Sequence, residues 1–170
     1  MQTSKKRSVI GIIFDPSRKQ ILLIKRRDVP MWALPGGGVD APETPEVAVV
    51  REVFEETGLN VQVLRQVALY TPINRLTNDT YVFECQAISG SLSSGDETLQ
   101  ASFFPLEDLP KPFFFLHGEW IADALQQLPS IIRKPLSQIT YLALIKYFCR
   151  HPVQVVRLLL SRIGRPINSR

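Results

Sequence analysis

The stretch from Leu34 to Leu59, LPGGGVDAPETPEVAVVREVFEETGL, constrains the fold of this chain more than any other. It joins a three-glycine loop to one amphipathic helix that carries more carboxylates than it can neutralise. Thr44 is placed to cap that helix and Pro45 to open it, since a cap hydroxyl accepts an orphan amide and proline lacks one. Gly58 is placed to end it in a left-handed turn. At 3.6 residues per turn, Val47, Val50 and Phe54 share one face, which predicts the side that packs on a sheet. Glu52, Glu55 and Glu56 share the opposite face, with Ala48 beneath them leaving space. Like charges three and four apart cost on the order of 0.2–0.5 kcal/mol per pair. They also sit in the C-terminal half, where the macrodipole disfavours anions. Arg51, four residues before Glu55, offsets only part of this.

A solvated acidic face accounts for the charges but not for their position after Gly36–Gly38. Hard divalent cations take oxygen ligands, commonly carboxylates together with substrate phosphates. Glycines let backbone groups approach such a ligand. The pattern therefore reads as a Mg²⁺–phosphate site in which the cation relieves the repulsion.

The segment resembles the box of the Nudix (MutT-like) hydrolases at each of its defined positions: Gly37, Glu43, Arg51, Glu52, Val53, Glu55, Glu56, Gly58 and Leu59. The resemblance implies a loop–helix–loop that binds Mg²⁺ or Mn²⁺. It implies hydrolysis of a nucleoside diphosphate linked to another group, by water attack on phosphorus. Glu52, Glu55 and Glu56 stand where the family has metal ligands, with the Gly36 carbonyl completing the shell. Glu43 and Arg51 stand where it has a bracing ion pair, and Gly37 and Gly58 are structural positions of the same box. The proton acceptor varies in the family; here it is Glu52 or a distant glutamate, for which Glu97 is the candidate. Among weaker substrate-binding candidates, Lys25, Arg26 and Arg27 end a strand near the loop and can reach a phosphate. Trp32 can stack on a base or cap the core.

Markers of particular substrate classes are missing. The place where ADP-ribose enzymes of the family often carry a proline holds Asn74 and Arg75, with Pro72 slightly earlier. The expected substrate is a small nucleotide, either a nucleoside diphosphate linked to a sugar or a nucleoside triphosphate. The alternatives are an RNA 5′-end pyrophosphohydrolase and a catalytically silent nucleotide-binding module.

Around the box, Ser8–Phe14 and Gln20–Arg26 read as an antiparallel pair turned by Asp15-Pro16-Ser17. VQVLRQVALY, TYVFECQAI and LQASFFPL read as further strands, and Gly118–Leu128 as an amphipathic helix. Strands and helices mix without βαβ alternation, so the expected class is α/β (α+β): a mixed β-sheet sandwiched between helices. The boundaries are 1–129 for the catalytic domain and 130–170 for a helical extension, with two short helices after Ser137 broken at His151-Pro152.

Charge separates those parts. The chain holds 20 Lys/Arg and 16 Asp/Glu. Residues 130–170 hold eight of the basic residues and no acidic one, leaving 12 against 16 in 1–129. The apolar, basic extension is read as packing on the domain or in a homodimer, ahead of an anionic membrane surface and of nucleic acid. The two cysteines, Cys85 and Cys149, read as reduced buried thiols, and with no signal or spanning segment the expected location is the cytoplasm.

Overall fold

The computed structural model describes residues 6–140. Its elements are, in order, β1 (Arg7–Ile13), β2 (Gln20–Arg26), β3 (Trp32–Ala33), β4 (Gly36–Gly38), α1 (Pro45–Thr57), β5 (Leu59–Pro72), β6 (Asp79–Gly90), β7 (Thr98–Pro105), α2 (Phe115–Leu125) and β8 (Ile132–Leu136). β1 and β2 are aliphatic runs without polar alternation, so both of their faces need cover. Val9 and Ile13 of β1, with Leu22 of β2, pack in a cluster with Ala48, Val49 and Val53 of α1. Ile10, Ile12, Ile21 and Leu23 pack in a second cluster with Leu116, Trp120, Ile121 and Ala124 of α2. The two helices thus cover opposite faces of the strands.

The strands form two sheets, one of five in the order β4-β1-β6-β5-β8 and one of three in the order β3-β2-β7. The larger is mixed: β1 runs parallel to β6, β5 and β6 form an antiparallel hairpin, and β8 lies parallel to β5. Asp15 Oδ1 accepts the Gln20 amide at 2.7 Å and closes the turn between β1 and β2. The mixed strands covered by helices are the class read from the sequence; they divide between two sheets, with β2 paired to β3 and β7 and meeting the chain after β1 at a Phe14–Ile21 bridge.

The helix caps follow the sequence: Thr44 Oγ1 accepts from the Val47 amide at 3.4 Å, and Gly58 ends α1 at φ 72°. The packing face does not. Val47 is 56% and Phe54 51% exposed, whereas Ala48, Val49, Val53 and Glu56 are buried. Two apolar stripes satisfy the helical period, and the one flanking Glu52 and Glu56 wins because those carboxylates must face the glycine loop. Gly11 of β1 makes this approach possible, since a Cβ there would lie 2.8 Å from Val53 Cγ2.

Two other boundaries move. The second helix begins at Phe115 rather than Gly118, because Leu116 (2% exposed) anchors its first turn in the core. Ile132–Leu136, assigned by sequence to a helical extension, is the edge strand β8, so the sheet extends beyond residue 129. The two helices expected after Ser137, Cys149, and most of the segment read as a homodimer or membrane contact lie outside the described residues. Cys85 is a buried free thiol. No described helix is long and apolar enough to cross a membrane.

Candidate active site

The glycine loop is held from below. The Leu34 amide donates to His117 Nδ1 at 2.8 Å, and the Gly11 amide donates to the Pro35 carbonyl at 2.9 Å. Gly36–Gly38 then pair with Ile10–Ser8 as a short edge strand. Gly36 has φ 154°, and a Cβ there would lie 2.1 Å from the Val9 carbonyl oxygen, so only glycine fits. Gly37 faces the other way: a Cβ would stand 2.4 Å from the Glu52 carboxylate. The loop therefore brings bare backbone against both the sheet and the acidic edge of α1.

The three glutamates of α1 occupy different environments. Glu56 is 6% exposed, and its Oε2 accepts the Gly36 amide at 2.8 Å. Burial pushes its carboxyl up to about 8, against that hydrogen bond, and the neighbouring Glu52 and Glu97 push the same way. Glu52 is also raised, chiefly by burial, with Arg51 opposing. Glu55 is the outermost, with a half-exposed side chain.

Arg51 hydrogen-bonds three carboxylates and lies 3.8 Å from a fourth, Asp40. Its Nη1 donates to Glu52 Oε1 at 3.0 Å and to Glu55 Oε2 at 3.1 Å. Its Nη2 donates to Glu43 Oε1 at 2.6 Å and to the Gly38 carbonyl at 3.0 Å. Glu43 also accepts the Asp40 amide at 2.8 Å, and the Arg51 hydrogen bond holds its carboxyl below the ordinary range. This knot ties the loop after the glycines to the helix.

Opposite stand residues from two distant segments. An open cleft of about 730 Å³ is lined on one side by Gly36–Gly38, Arg51, Glu52, Glu55 and Glu56, and on the other by Arg26, Gly95, Asp96 and Glu97. Arg26 is held by Asp28 through Nε–Oδ1 at 3.0 Å and Nη2–Oδ2 at 2.9 Å. The hydrogen bond to Asp28 raises the guanidinium further above its usual value, and the charges of Glu56 and Glu97 act in the same direction.

The donor set suits a hard cation, being all oxygen, with one carboxylate buried and another pressed against a glycine. Among the described residues, no three acidic, histidine or cysteine side chains are gathered at ligating spacing. Arg51 holds Glu52 and Glu55 to itself, and Glu56 is turned to the Gly36 amide.

Of the residues singled out by sequence, Arg26, Gly36, Gly37, Arg51, Glu52, Glu55, Glu56 and Glu97 meet at this cleft. Glu43 braces Arg51 from behind and Gly58 ends the helix. Lys25 and Trp32 do not line it. Trp32 is 7% exposed, in edge contact with Phe104 at 4.6 Å, and the Lys25 ammonium lies 5.9 Å over its ring. Strand alternation puts Lys25 and Arg26 on opposite faces, so Trp32 caps the core and has no free face for a base.

Sequence reasoning missed Asp96 and His117. Asp96 stands beside Glu97 in an unpatterned loop. His117 has no partner motif in the sequence and shows its partner only after folding. Burial lowers its imidazole to about 3, so it is neutral and free to accept the Leu34 amide.

Comparison with known proteins adds four likenesses. A sequence model of the NUDIX domain matches residues 4–124. The chain is 41% identical over 125 residues to the ADP-ribose pyrophosphatase of Methanocaldococcus jannaschii, covering 70% of this chain and 72% of that protein. Over 52 residues it is 54% identical to a putative 8-oxo-dGTP diphosphatase of Bacillus subtilis, 31% of this chain and 35% of that one. Its fold matches the crystal structure of an ADP-ribose pyrophosphatase from Streptococcus suis with a TM-score of 0.64 at 27% identity, over 78% of this chain and 99% of the other.

Proposed function

The chain belongs to the Nudix family, and we propose that its cleft hydrolyses the pyrophosphate bond of a nucleoside diphosphate linked to a second group, with ADP-ribose the leading candidate. One observation carries this reading. Carboxylates from α1 and from the loop before β7 converge, with Arg26, on a cleft floored by three glycines. ADP-ribose leads because two of the similar proteins are named for that activity. Nucleoside triphosphates come second, on the short but closer likeness to the putative 8-oxo-dGTP diphosphatase.

Glu52, Glu55, Glu56 and the Gly36 carbonyl would hold Mg²⁺ or Mn²⁺, with the Arg51 contacts to Glu52 and Glu55 giving way. Such a cation supplies charge neutralisation at the phosphate oxygens and acidifies water. The residues of the chain do the rest. Arg26, fixed by Asp28, offers its guanidinium to the diphosphate. Glu97 or Glu52 accepts the proton of the water that attacks phosphorus. The P–O–P bridge then breaks, giving a nucleoside monophosphate and a phosphorylated remainder. Glu43, Arg51 and Gly37 keep loop and helix in register.

A panel of ADP-ribose, other nucleotide sugars and nucleoside triphosphates, incubated with Mg²⁺ and followed by phosphorus NMR, tests this. Metal-dependent appearance of a nucleoside monophosphate is the expected result. Absence of metal-dependent cleavage across the panel would overturn it.

A further inference from the structure

We infer that Arg27 is a positioning residue: it clamps the loop that carries Glu97 and so sets where that carboxylate stands over the cleft. The inference rests on the proposed role of Glu97.

Sequence places Arg27 beside Arg26 as a second cation for phosphate. The structure turns it elsewhere. Between Lys25 and Arg26 the pairing of β2 with β7 slips by one residue: Lys25 lies opposite Gln100 and Arg26 opposite Thr98. The extra residue, Leu99, lies on β7, while consecutive residues at the end of β2 alternate in direction. Arg26 remains at the cleft, and Arg27 meets the incoming loop with three donors. Its Nε donates to the Asp96 carbonyl at 2.8 Å, its amide to the Glu97 carbonyl at 2.9 Å, and its Nη2 to the Thr98 carbonyl at 3.3 Å. Three consecutive carbonyls, centred on Glu97, are thus held by one residue.

The other side of the loop is fixed by close contact with the end of α1. The Ser93 amide donates to the Thr57 carbonyl at 2.9 Å. A Cβ on Gly95 would lie 2.0 Å from the Glu55 carbonyl oxygen, so the loop backbone rests directly on the helix that bears the glutamates. The loop therefore bridges β2 and α1, and Glu97 sits between its two attachments. Without the Arg27 side chain, two of the three bonds are lost and only its backbone amide and the α1 attachment hold the loop, so Glu97 can shift with the strand entry. Misplacing a catalytic carboxylate by about 1 Å costs on the order of a hundredfold in rate.

The test compares Arg27→Ala, Arg27→Lys, Glu97→Gln and the Arg27→Ala/Glu97→Gln double variant of the full chain with Mg²⁺ and ADP-ribose. Arg27→Ala is expected to lower kcat roughly 10- to 100-fold while KM changes by less than about threefold. Lysine keeps one side-chain donor where alanine keeps none, so it should recover part of the rate. The double variant should be no slower than Glu97→Gln alone, because a clamp that acts through Glu97 has nothing left to position. In parallel, amide exchange of residues 93–98 should rise in Arg27→Ala and not in Glu97→Gln.

Unchanged exchange in that loop overturns the clamp, and multiplying rate defects in the double variant overturn its action through Glu97. Wild-type turnover of Glu97→Gln overturns the positioning role together with the catalytic one. If the wild type cleaves no nucleotide, the proposed function fails and exchange alone decides whether Arg27 holds the loop.

Discussion

Two groups of buried charge lie against the two helices, and they are built by different rules. Against α2, Asp123 is 2% exposed, and its carboxylate accepts from Lys134 Nζ at 2.8 and 2.9 Å, the Tyr70 hydroxyl at 2.5 Å and Gln126 at 3.1 Å. Nearby, Glu84 is 4% exposed and takes Arg65 Nε at 3.0 Å together with Arg18. Each buried carboxylate there has a cation. At the cleft, Glu56 is almost as buried but accepts only an amide. Arg51 is divided among three carboxylates, and Arg26 is engaged by Asp28. Buried charge without a counter-ion costs stability. The α2 group is folding chemistry brought to completion. The α1 group is left short of positive charge, which under the proposed function a metal–substrate complex would make up.

The largest effect that can break this contrast is on turnover. Glu52→Gln and Glu56→Gln keep shape and remove charge. Each is expected to lower metal-dependent kcat by about a thousandfold, roughly 4 kcal/mol, with little loss of thermal stability. Wild-type turnover in both would mean that the cleft charges are structural after all. Next in size is Asp123→Ala. It strands the buried Tyr70 hydroxyl, leaves Lys134 only Glu119 at 3.6 Å, and should cost about 2–3 kcal/mol of unfolding free energy. Turnover measured well below its melting temperature should stay within about twofold of wild type. A large loss of turnover at full stability would erase the distinction between the two groups.

A pH series on metal-free protein sharpens the contrast. The Glu56 carboxyl is pushed up to about 8 in the folded state, from an ordinary value of 4.5. The folded protein therefore keeps a proton that the unfolded chain has lost between those limits. The stabilisation is complete below about pH 4.5 and disappears as pH rises to about 8. In chelator, melting temperature should fall across this window, by the equivalent of about 5 kcal/mol at most. Glu56→Gln should flatten the slope, and added Mg²⁺ should lift the high-pH end of the wild type. His117 acts in the opposite sense. Burial lowers it to about 3, so its contribution is present above its ordinary 6.5 and is lost as pH falls toward 3. A wild-type curve that rises with pH from 6.5 to 8 without metal would contradict the assignment to Glu56.

What the sequence made legible follows from how local each signal is. Thr44, Pro45 and Gly58 act on the backbone within one turn, and the caps of α1 lie where those residues place them. Spacing alone brought Glu52, Glu55 and Glu56 to one end of the helix beside the glycines. Glu97 required a guess about a distant loop, and the fold puts it at the same cleft. What was not legible depends on partners far along the chain. The Tyr70–Asp123 hydrogen bond spans 53 residues and the Leu34–His117 bond 83. β8 was hidden because IRKPL is short and contains a proline, and only the edge of β5 makes it a strand. The separation of Arg26 from Arg27 shows only in their partners, Asp28 for the first and carbonyls 69 and 71 residues along the chain for the second.

The smallest effect concerns the outer face of α1, where pattern and packing part. Val47, Val50 and Phe54 form a valid helical stripe by period, yet Val47 and Phe54 are half exposed. Val49 and Val53 are fully buried against Gly11 of β1. Replacing Val47 or Phe54 by serine should change unfolding free energy by less than about 0.5 kcal/mol, as for surface sites generally. Val49→Ala or Val53→Ala should cost about 1–3 kcal/mol, through lost burial and a cavity beside the glycine. The inner pair also sets how α1 leans on β1, and hence how far Glu52 and Glu56 stand from Gly36 and Gly37. Their alanine variants should therefore weaken Mg²⁺ activation as well, by a few-fold, while the outer serine variants should not. Equal stability costs on the two faces would show that α1 packs on the stripe that periodicity favoured, and would move the glutamates away from the glycine loop.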